Sequence, residues 1–246
     1  MTDIQIGITD LPYDRERYYS EFGVVEHRVG QLNPPNAATL RKWASQAPDE
    51  FRHIWVAWQS FTFPPEKIKR GRKADLLDGE SARDLGGFQD TAVNRRVWTE
   101  IRECAEAIGA DTIVLETPAV FSPTDIHRDN MRAFAQDWSA LPEGTRIAWH
   151  PAGFWERDEC LELCEAIGWD LVIDPLVDLD APLPDTDHVY FRMMGAHGFG
   201  NSYGDDALDV LLEMLQQYEQ ATVIFRTDDS IKDATRFQKY IEVMLG

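Results

Sequence analysis

Eight short apolar segments recur along the chain with longer stretches of helical periodicity between them, and this alternation constrains the fold more than any other feature. Each segment is rich in Ile, Val, Trp, Tyr or Phe and is bounded by turn or capping residues, which is typical of β-strands. The predicted strands are residues 4–9, 24–28, 53–59, 112–117, 146–150, 171–174, 188–194 and 221–227. Strands that alternate with helices favour a parallel sheet.

The stretches between the predicted strands carry the end signals of helices. Asn36 is placed to cap a helix that Pro48 ends, and Asn94 is placed to open a helix that Gly109 closes. Gly168 closes a helix over residues 157–167 in the same way, and apolar residues at helical spacing predict helices over residues 206–218 and 230–245.

The number of strands and the chain length together predict a single domain over residues 1–246, a closed (β/α)8 barrel of the TIM type. An open, doubly wound α/β sheet is the alternative, but no G-x-G-x-x-G motif follows the first strand. The sixth connection, residues 175–187, contains three prolines and is too broken for a regular helix. We therefore expect an irregular sixth crossover.

The charge balance and the cysteines narrow the classes of function. The chain has 24 Lys and Arg against 43 Asp and Glu, and a net charge of −19 argues against extended binding to a nucleic-acid backbone. We expect the three cysteines to be buried thiols, with a metal pair of Cys160 and Cys164 as the weaker alternative. Because no basic leader and no long apolar run is found, we expect a cytoplasmic protein that does not span a membrane.

Polar side chains stand at the predicted strand ends, where barrel enzymes carry their chemistry. Candidates for general acid–base catalysis or metal binding are Glu26, Glu116, His150 and Asp174. Candidates for substrate binding are Asp10, Gln59, Arg192, His197, Tyr203, Arg226 and Asp228. Carboxylates and imidazole suit a divalent metal and guanidinium groups suit an anion, but the sequence assigns no metal ligands. The alternative is that these groups neutralise one another as a salt-bridged lid.

Two loops indicate an anionic ligand. Five basic residues lie within seven positions after the third strand: Lys67, Lys69, Arg70, Arg72 and Lys73. They form either an anion clamp or a solvated helix start that balances the acidic residues after it. The glycine-rich stretch GAHGFGNSYG follows the seventh strand, in the region where barrels often bind phosphate. We expect Arg192 or Arg226 to bind the anion, with Tyr203 closing over it; the competing interpretation is that acids such as Glu26 neutralise both guanidinium groups.

Several segments, in order along nearly the whole chain, resemble one protein family. They are IGITDLPY at the start, Glu26, Trp43, Pro48, Phe51, VLETPAVF with Glu116, Asp174 with Pro175, and Arg192, Gly195, Tyr203, Phe225 and Ala234. In these residues the chain is similar to the YecE-like proteins, grouped as domain of unknown function 72, which implies a TIM-type barrel and leaves the activity open. Departures at Glu116, where Gln is usual, at Met194, where His is usual, and around Trp155 imply a divergent member.

The sequence thus favours an enzyme that acts on a small phosphate- or nucleotide-like anion by hydrolase- or lyase-type acid–base chemistry, with a divalent metal as a candidate cofactor. The rival is a non-catalytic barrel whose mouth binds a ligand, a protein or a nucleic acid. A nucleic acid could bind only through the basic loop after the third strand.

Overall fold

A computed structural model describes residues 2–64, 82–195 and 203–245. Its parallel strands are hydrogen-bonded in sequence order, and the last strand pairs with the first to close a barrel. The strands are β1 Asp3–Thr9, β2 Val24–His27, β3 Arg52–Val56, β4 Ala110–Glu116, β5 Arg146–His150, β6 Asp170–Ile173, β7 His188–Met193 and β8 Gln220–Phe225. The predicted closed barrel is confirmed, and the open-sheet alternative is wrong.

Helices alternate with the strands as the sequence predicts. The helices of the described residues are α1 Arg15–Glu21, α2 Val29–Leu32, α3 Ala37–Ala44, α4 Ala92–Ile108, α5 Asp125–Ala133, α6 Arg157–Ile167, α7 Asp205–Leu215 and α8 Ser230–Leu245. Helical turns of other types cover Gln59–Phe61, Ala82–Asp84 and Phe134–Trp138. None of the helices in the described part of the chain is long and apolar enough to cross a membrane.

The connection from β6 to β7 contains no helix, and every residue of it is described. Asp174 Oδ1 accepts a hydrogen bond from the Leu176 backbone N–H at 3.1 Å, and Asp178 Oδ1 accepts one from the Asp180 N–H at 3.3 Å. These side-chain turns satisfy backbone groups where prolines prevent a helical ladder. The predicted irregular sixth crossover is confirmed.

The start of α4 differs from the prediction. Thr91, not Asn94, caps the helix, and the Thr91 hydroxyl accepts from the Asn94 N–H at 3.2 Å. Asn94 lies buried in the first turn, where its side-chain amide bonds the backbone of Gly86 at 3.0 Å and of Gln89 at 2.8 Å. The prediction that Asn94 opens the helix is wrong because this amide holds a neighbouring loop instead. The predicted end is confirmed, since Gly109 closes α4 in the left-handed conformation with φ 70°.

The first turn of α3 is capped as predicted. Asn36 Oδ1 accepts a hydrogen bond from the Thr39 N–H at 2.9 Å. The helix then ends at Ala44, ahead of Pro48. The proline therefore marks the end of the segment but not the last helical residue.

The chain divides into two compact units. The first unit comprises Met1–Glu26, Pro48–Arg52 and Leu171–Gly246, and the second comprises His27–Ala47 and His53–Asp170. The expectation of a single domain over the whole chain stays a prediction.

Strand pairing within each unit sets which strand ends are neighbours. In the first unit β8 lies between β7 and β1, and β1 pairs onward with β2 so that Thr9 lies opposite Glu26. In the second unit β4 lies between β3 and β5, and Glu116 lies opposite His150. Because adjacent strands are only about 4.8 Å apart, Glu116 and His150 end their strands side by side.

In the first unit, Tyr18 fixes α1 to the strands beneath it. Its hydroxyl donates to the Val24 carbonyl at 2.7 Å and accepts from the Ile8 N–H at 3.0 Å. Burial raises the pKa of Tyr18, so the phenol keeps its proton.

In the second unit, aromatic rings fill the space under α4. Phe61 meets Phe134 at 4.9 Å between ring centroids, and Phe134 meets Trp98 at 4.8 Å and Trp138 at 4.7 Å, all edge to face. Such edge-to-face contacts add to the free energy gained by burying the rings.

The three cysteines, Cys104, Cys160 and Cys164, are buried and free, as predicted. Burial raises the pKa of Cys160 to about 12 and raises that of Cys164 as well. These thiols therefore stay protonated and pack as small apolar side chains.

Candidate functional site

Glu26 at the end of β2 forms a fully buried ion pair with Arg192 on β7, within the first unit. Arg192 donates to Glu26 Oε2 from Nε at 3.0 Å and from Nη2 at 2.5 Å, and both side chains are 0% exposed. The Tyr190 hydroxyl donates to the same oxygen. Burial, and next the charge of Glu26, raise the pKa of Tyr190 well above its usual value, so Tyr190 remains a donor.

The two oxygens of Glu26 have different surroundings. Oε2 accepts from Arg192 and Tyr190, whereas Oε1 is buried and has no hydrogen-bond partner among the residues that the structure describes. A buried carboxylate oxygen without a donor is costly in free energy and is uncommon in native proteins. The arrangement fixes the carboxylate through one oxygen, while the other oxygen is buried without a donor from the described residues.

Asp174, just after β6, organises the chain that follows β7, also within the first unit. Its Oδ2 accepts from the Tyr203 hydroxyl at 2.7 Å and from the Met194 N–H at 2.8 Å. The Tyr203 hydroxyl in turn accepts from the Gly195 N–H at 2.7 Å. Burial first, and then the Asp174 charge, raise the pKa of Tyr203. Asp174 and Tyr203 were predicted in different roles, and the structure places them in one hydrogen-bonded group.

Three further candidates lie at strand ends of the first unit. Arg226 follows β8 and is half-buried, with Nη1 at 4.0 Å from Met194 Sδ. Asp228, two residues further, is exposed. Asp10 follows β1 with a left-handed φ of 57°, and its N–H donates to the Glu26 carbonyl at 2.8 Å.

Glu116 is the centre of a separate group in the second unit. It is 7% exposed at the end of β4, and Arg28 binds both of its oxygens, with Nη2 at 2.9 Å from Oε2 and Nε at 3.4 Å from Oε1. The Gln31 amide donates to Oε2, and Thr62 Oγ1 donates to the Glu116 backbone carbonyl at 2.5 Å. The Glu116 carboxylate is thus held by donors on both oxygens.

His150 and Gln59 complete the second unit's candidates. His150 is half-buried at the end of β5, opposite Glu116, and its carbonyl accepts from the Thr117 N–H at 3.1 Å. Gln59 is buried and lies in the helical turn beyond β3 rather than in the strand itself.

Sequence reasoning missed three residues as members of these groups. Tyr190 was detectable, because it lies two positions before Arg192 on a strand and so shares its face. Arg28 ends the predicted strand 24–28, so the sequence marks it as a polar strand-end residue but not as the partner of Glu116. Gln31 lies in α2, which spans only Val29–Leu32 and is too short to give a periodic signal.

Some predicted residues lie outside the described ranges. They are His197 and the basic residues Lys67, Lys69, Arg70, Arg72 and Lys73. Within residues 2–64, 82–195 and 203–245, no three His, Cys, Asp or Glu side chains come together in a way that could hold a metal ion.

Comparison with known proteins identifies relatives of the chain. A family model described as protein of unknown function DUF72 matches residues 13–245. No curated protein matches the chain.

Two solved structures of DUF72 family proteins are similar to this chain. The one from Enterococcus faecalis has 16% identity and a TM-score of 0.67, with 97% of this chain and 95% of that chain covered. The one from Thermotoga maritima has 16% identity and a TM-score of 0.67, with 98% and 99% covered.

The barrel is also similar to that of an enzyme of another family. Endonuclease IV from Thermus thermophilus matches with a TM-score of 0.58 and 9% identity, covering 97% of this chain and 99% of that chain. At such low identity, the similarity shows a common fold.

Proposed function

The chain belongs to the family of proteins of unknown function DUF72, and from the geometry of its barrel we propose that it is an enzyme that uses Glu26 as a general base on a small anionic substrate. The substrate class is a phosphate- or nucleotide-like molecule, and the reaction is of the hydrolase or lyase type.

The observation that carries this proposal is the asymmetry of the Glu26 carboxylate. Arg192 and Tyr190 bind Oε2 from fixed positions on β7, and Oε1 has no donor among the described residues. A general base needs a fixed orientation and a lone pair that no other donor occupies, and these contacts supply the orientation through one oxygen alone. Oε1, which is buried and has no donor among the described residues, is the atom to which a substrate proton would be transferred, so the substrate must reach it inside the barrel.

We assign anion binding to Arg226 rather than to Arg192. The Arg192 guanidinium is fully buried and neutralised by Glu26, whereas Arg226 is half-buried at the end of the neighbouring strand β8. A guanidinium group binds phosphate through two parallel hydrogen bonds. The hydrogen bonds of Asp174 to Met194 and Tyr203 hold the backbone beside Arg226 and support its position.

The second candidate function is a non-catalytic barrel that binds its ligand without turnover. Complete burial of both Glu26 and Arg192 favours it, because an ion pair without exposed surface is also what a purely structural contact in the barrel interior would look like. In that case Glu26 Oε1 would accept a hydrogen bond from a ligand or a water molecule and would transfer no proton.

Thermal unfolding with inorganic phosphate, nucleotides and divalent metal salts tests the proposed binding. At a ligand concentration about a hundredfold above Kd, the wild type should gain about 2.7 kcal/mol, which for a chain of this size raises the Tm by several degrees. Arg226→Gln should lose the phosphate-induced rise, and Arg41→Gln on exposed α3 is the matched control that should keep it. A rise that Arg226→Gln leaves unchanged contradicts the assignment of Arg226.

Turnover assays on the compounds that stabilise the protein then separate the two functions. Hydrolysis or elimination of a stabilising compound supports the enzyme. Binding without turnover over phosphate esters and nucleotides, with and without divalent metal, supports the non-catalytic barrel.

A further inference from the structure

Three large apolar side chains of the second unit are exposed close to one another. Val120 is 53% exposed, Ile126 72% and Phe154 80%. They lie in the connection from β4 to α5, in the first turn of α5 and in the connection from β5 to α6. We refer to Val120, Ile126 and Phe154 as the loop patch.

The loop patch is held together by the residues that directly follow its members. Phe121 stacks with both His127 and Trp155: the centroid of its ring lies 4.1 Å from that of His127 and 6.0 Å from that of Trp155, with interplanar angles of 23° and 22°. Each exposed apolar residue is thus followed by one ring of this stack, which places the three residues in one region of the second unit.

Hydrogen bonds make this region rigid. Trp155 Nε1 donates to the Phe121 carbonyl at 2.5 Å, and His127 Nδ1 lies 2.6 Å from the Ser122 carbonyl. The two loops also meet at Gly153, where an added Cβ would lie 2.6 Å from the Ala119 carbonyl oxygen. Because these contacts hold the backbone of the two loops, binding at the loop patch costs little conformational entropy.

The rim of the loop patch is acidic. Asp125 has a 98% exposed side chain, and Glu156 and Asp158 are also exposed. The nearby Arg128 is engaged by acids, at 2.8 Å from Glu159 and 3.6 Å from Asp125. Four acids in these segments, Asp125, Glu156, Asp158 and Glu159, outnumber Arg128 and Arg157, so the net charge around the loop patch is negative.

We propose that the loop patch docks a segment of a partner protein that presents an apolar anchor side chain flanked by lysines or arginines. Apolar contact at the centre and opposite charge at the rim are the usual division of an interface. A nucleic acid and an anionic lipid surface meet the acidic rim with like charge. A second copy of this chain also carries −19 and is repelled in the same way.

Peptide binding measured by fluorescence anisotropy tests this proposal. The probe is a labelled peptide with a central tryptophan flanked by lysines, and the comparison peptide has glutamates in place of the lysines. The triple variant Val120→Ser/Ile126→Ser/Phe154→Ser removes the loop patch at exposed positions. The matched control, Ile231→Ser/Val243→Ser/Met244→Ser, removes three exposed apolar side chains of α8 instead, which are 40%, 81% and 54% exposed.

The lysine peptide should bind the wild type and the α8 control equally and should bind the triple variant at least about tenfold more weakly. The glutamate peptide should bind the wild type more weakly than the lysine peptide does. Equal binding of the lysine peptide to the triple variant, or equal affinity of the two peptides for the wild type, would overturn the proposal. The proposal would also be overturned if the wild type self-associates and the triple variant does not. The same holds if the wild type binds oligonucleotides or anionic vesicles and the triple variant does not. Thermal unfolding of both variants should match the wild type, because all six positions are exposed.

Discussion

Arg192 donates two hydrogen bonds to one oxygen of Glu26, Oε2, at 3.0 and 2.5 Å, in a place where neither side chain has any exposed surface. Both charges have lost their hydration, so each depends on the other for compensation. The same contacts leave the second Glu26 oxygen without a donor from the described residues. One ion pair therefore serves the stability of the barrel and orients the group that we propose as its base.

Replacing Glu26 alone should destabilise the protein more than replacing the pair. Glu26→Leu leaves the Arg192 guanidinium buried without its carboxylate, and we expect a loss of about 3–5 kcal/mol in the free energy of unfolding. The double variant Glu26→Leu/Arg192→Met removes both charges and should recover part of that loss. Urea unfolding measures both values. A double variant that loses the sum of the two single losses would contradict the mutual compensation of these charges.

The Tyr203 hydroxyl should contribute measurably to stability. Tyr203→Phe removes the donor to Asp174 and the acceptor of the Gly195 N–H in a buried place, and we expect a loss of about 1–3 kcal/mol. Tyr240→Phe removes an exposed hydrogen bond to Asp209 and should cost under about 0.5 kcal/mol. Equal losses in the two variants would show that Asp174 and Tyr203 do not fix the chain after β7.

A buried histidine pair of the second unit should add to the acid sensitivity of the protein. His53 Nδ1 lies 2.9 Å from His27 Nε2, and burial lowers the pKa of His53 to about 4, against a smaller opposite effect of Asp111. The unfolded chain therefore binds a proton at higher pH than the folded chain does. The contribution of neutral His53 to the free energy of unfolding is complete above about pH 6.5 and is lost progressively as the pH falls towards about 4.

The His53→Gln variant isolates this contribution. We expect the difference in unfolding free energy between wild type and variant to shrink by about 3 kcal/mol between pH 7 and pH 4. Urea unfolding at a series of pH values gives this difference directly. A difference that stays constant over that range would show that His53 does not titrate as its burial requires.

The fold was predictable from the sequence because its signals are local. Strand composition, helix caps and three prolines in the sixth crossover each act within a few residues. The start of α4 was misassigned because Thr91 and Asn94 are both cap-forming residues. The choice between them depends on the contacts of Asn94 with Gly86 and Gln89, which only the folded chain makes.

The candidate residues were also predictable as a set, but their partners were not. Glu26 and Arg192 are 166 positions apart, so their pairing follows from closure of the barrel and not from spacing. Burial of Arg192 has the same origin, and no sequence pattern distinguishes it from the half-buried Arg226.

The turnover number of Glu26→Gln on the best substrate from the screen tests the central claim most directly. Glutamine keeps the shape and an oxygen for Arg192 but cannot accept a proton in place of the carboxylate. We predict that kcat falls by about 10²–10⁴-fold while the protein stays folded and KM changes little. A folded Glu26→Gln variant with a wild-type kcat would contradict the assignment of Glu26 as the general base.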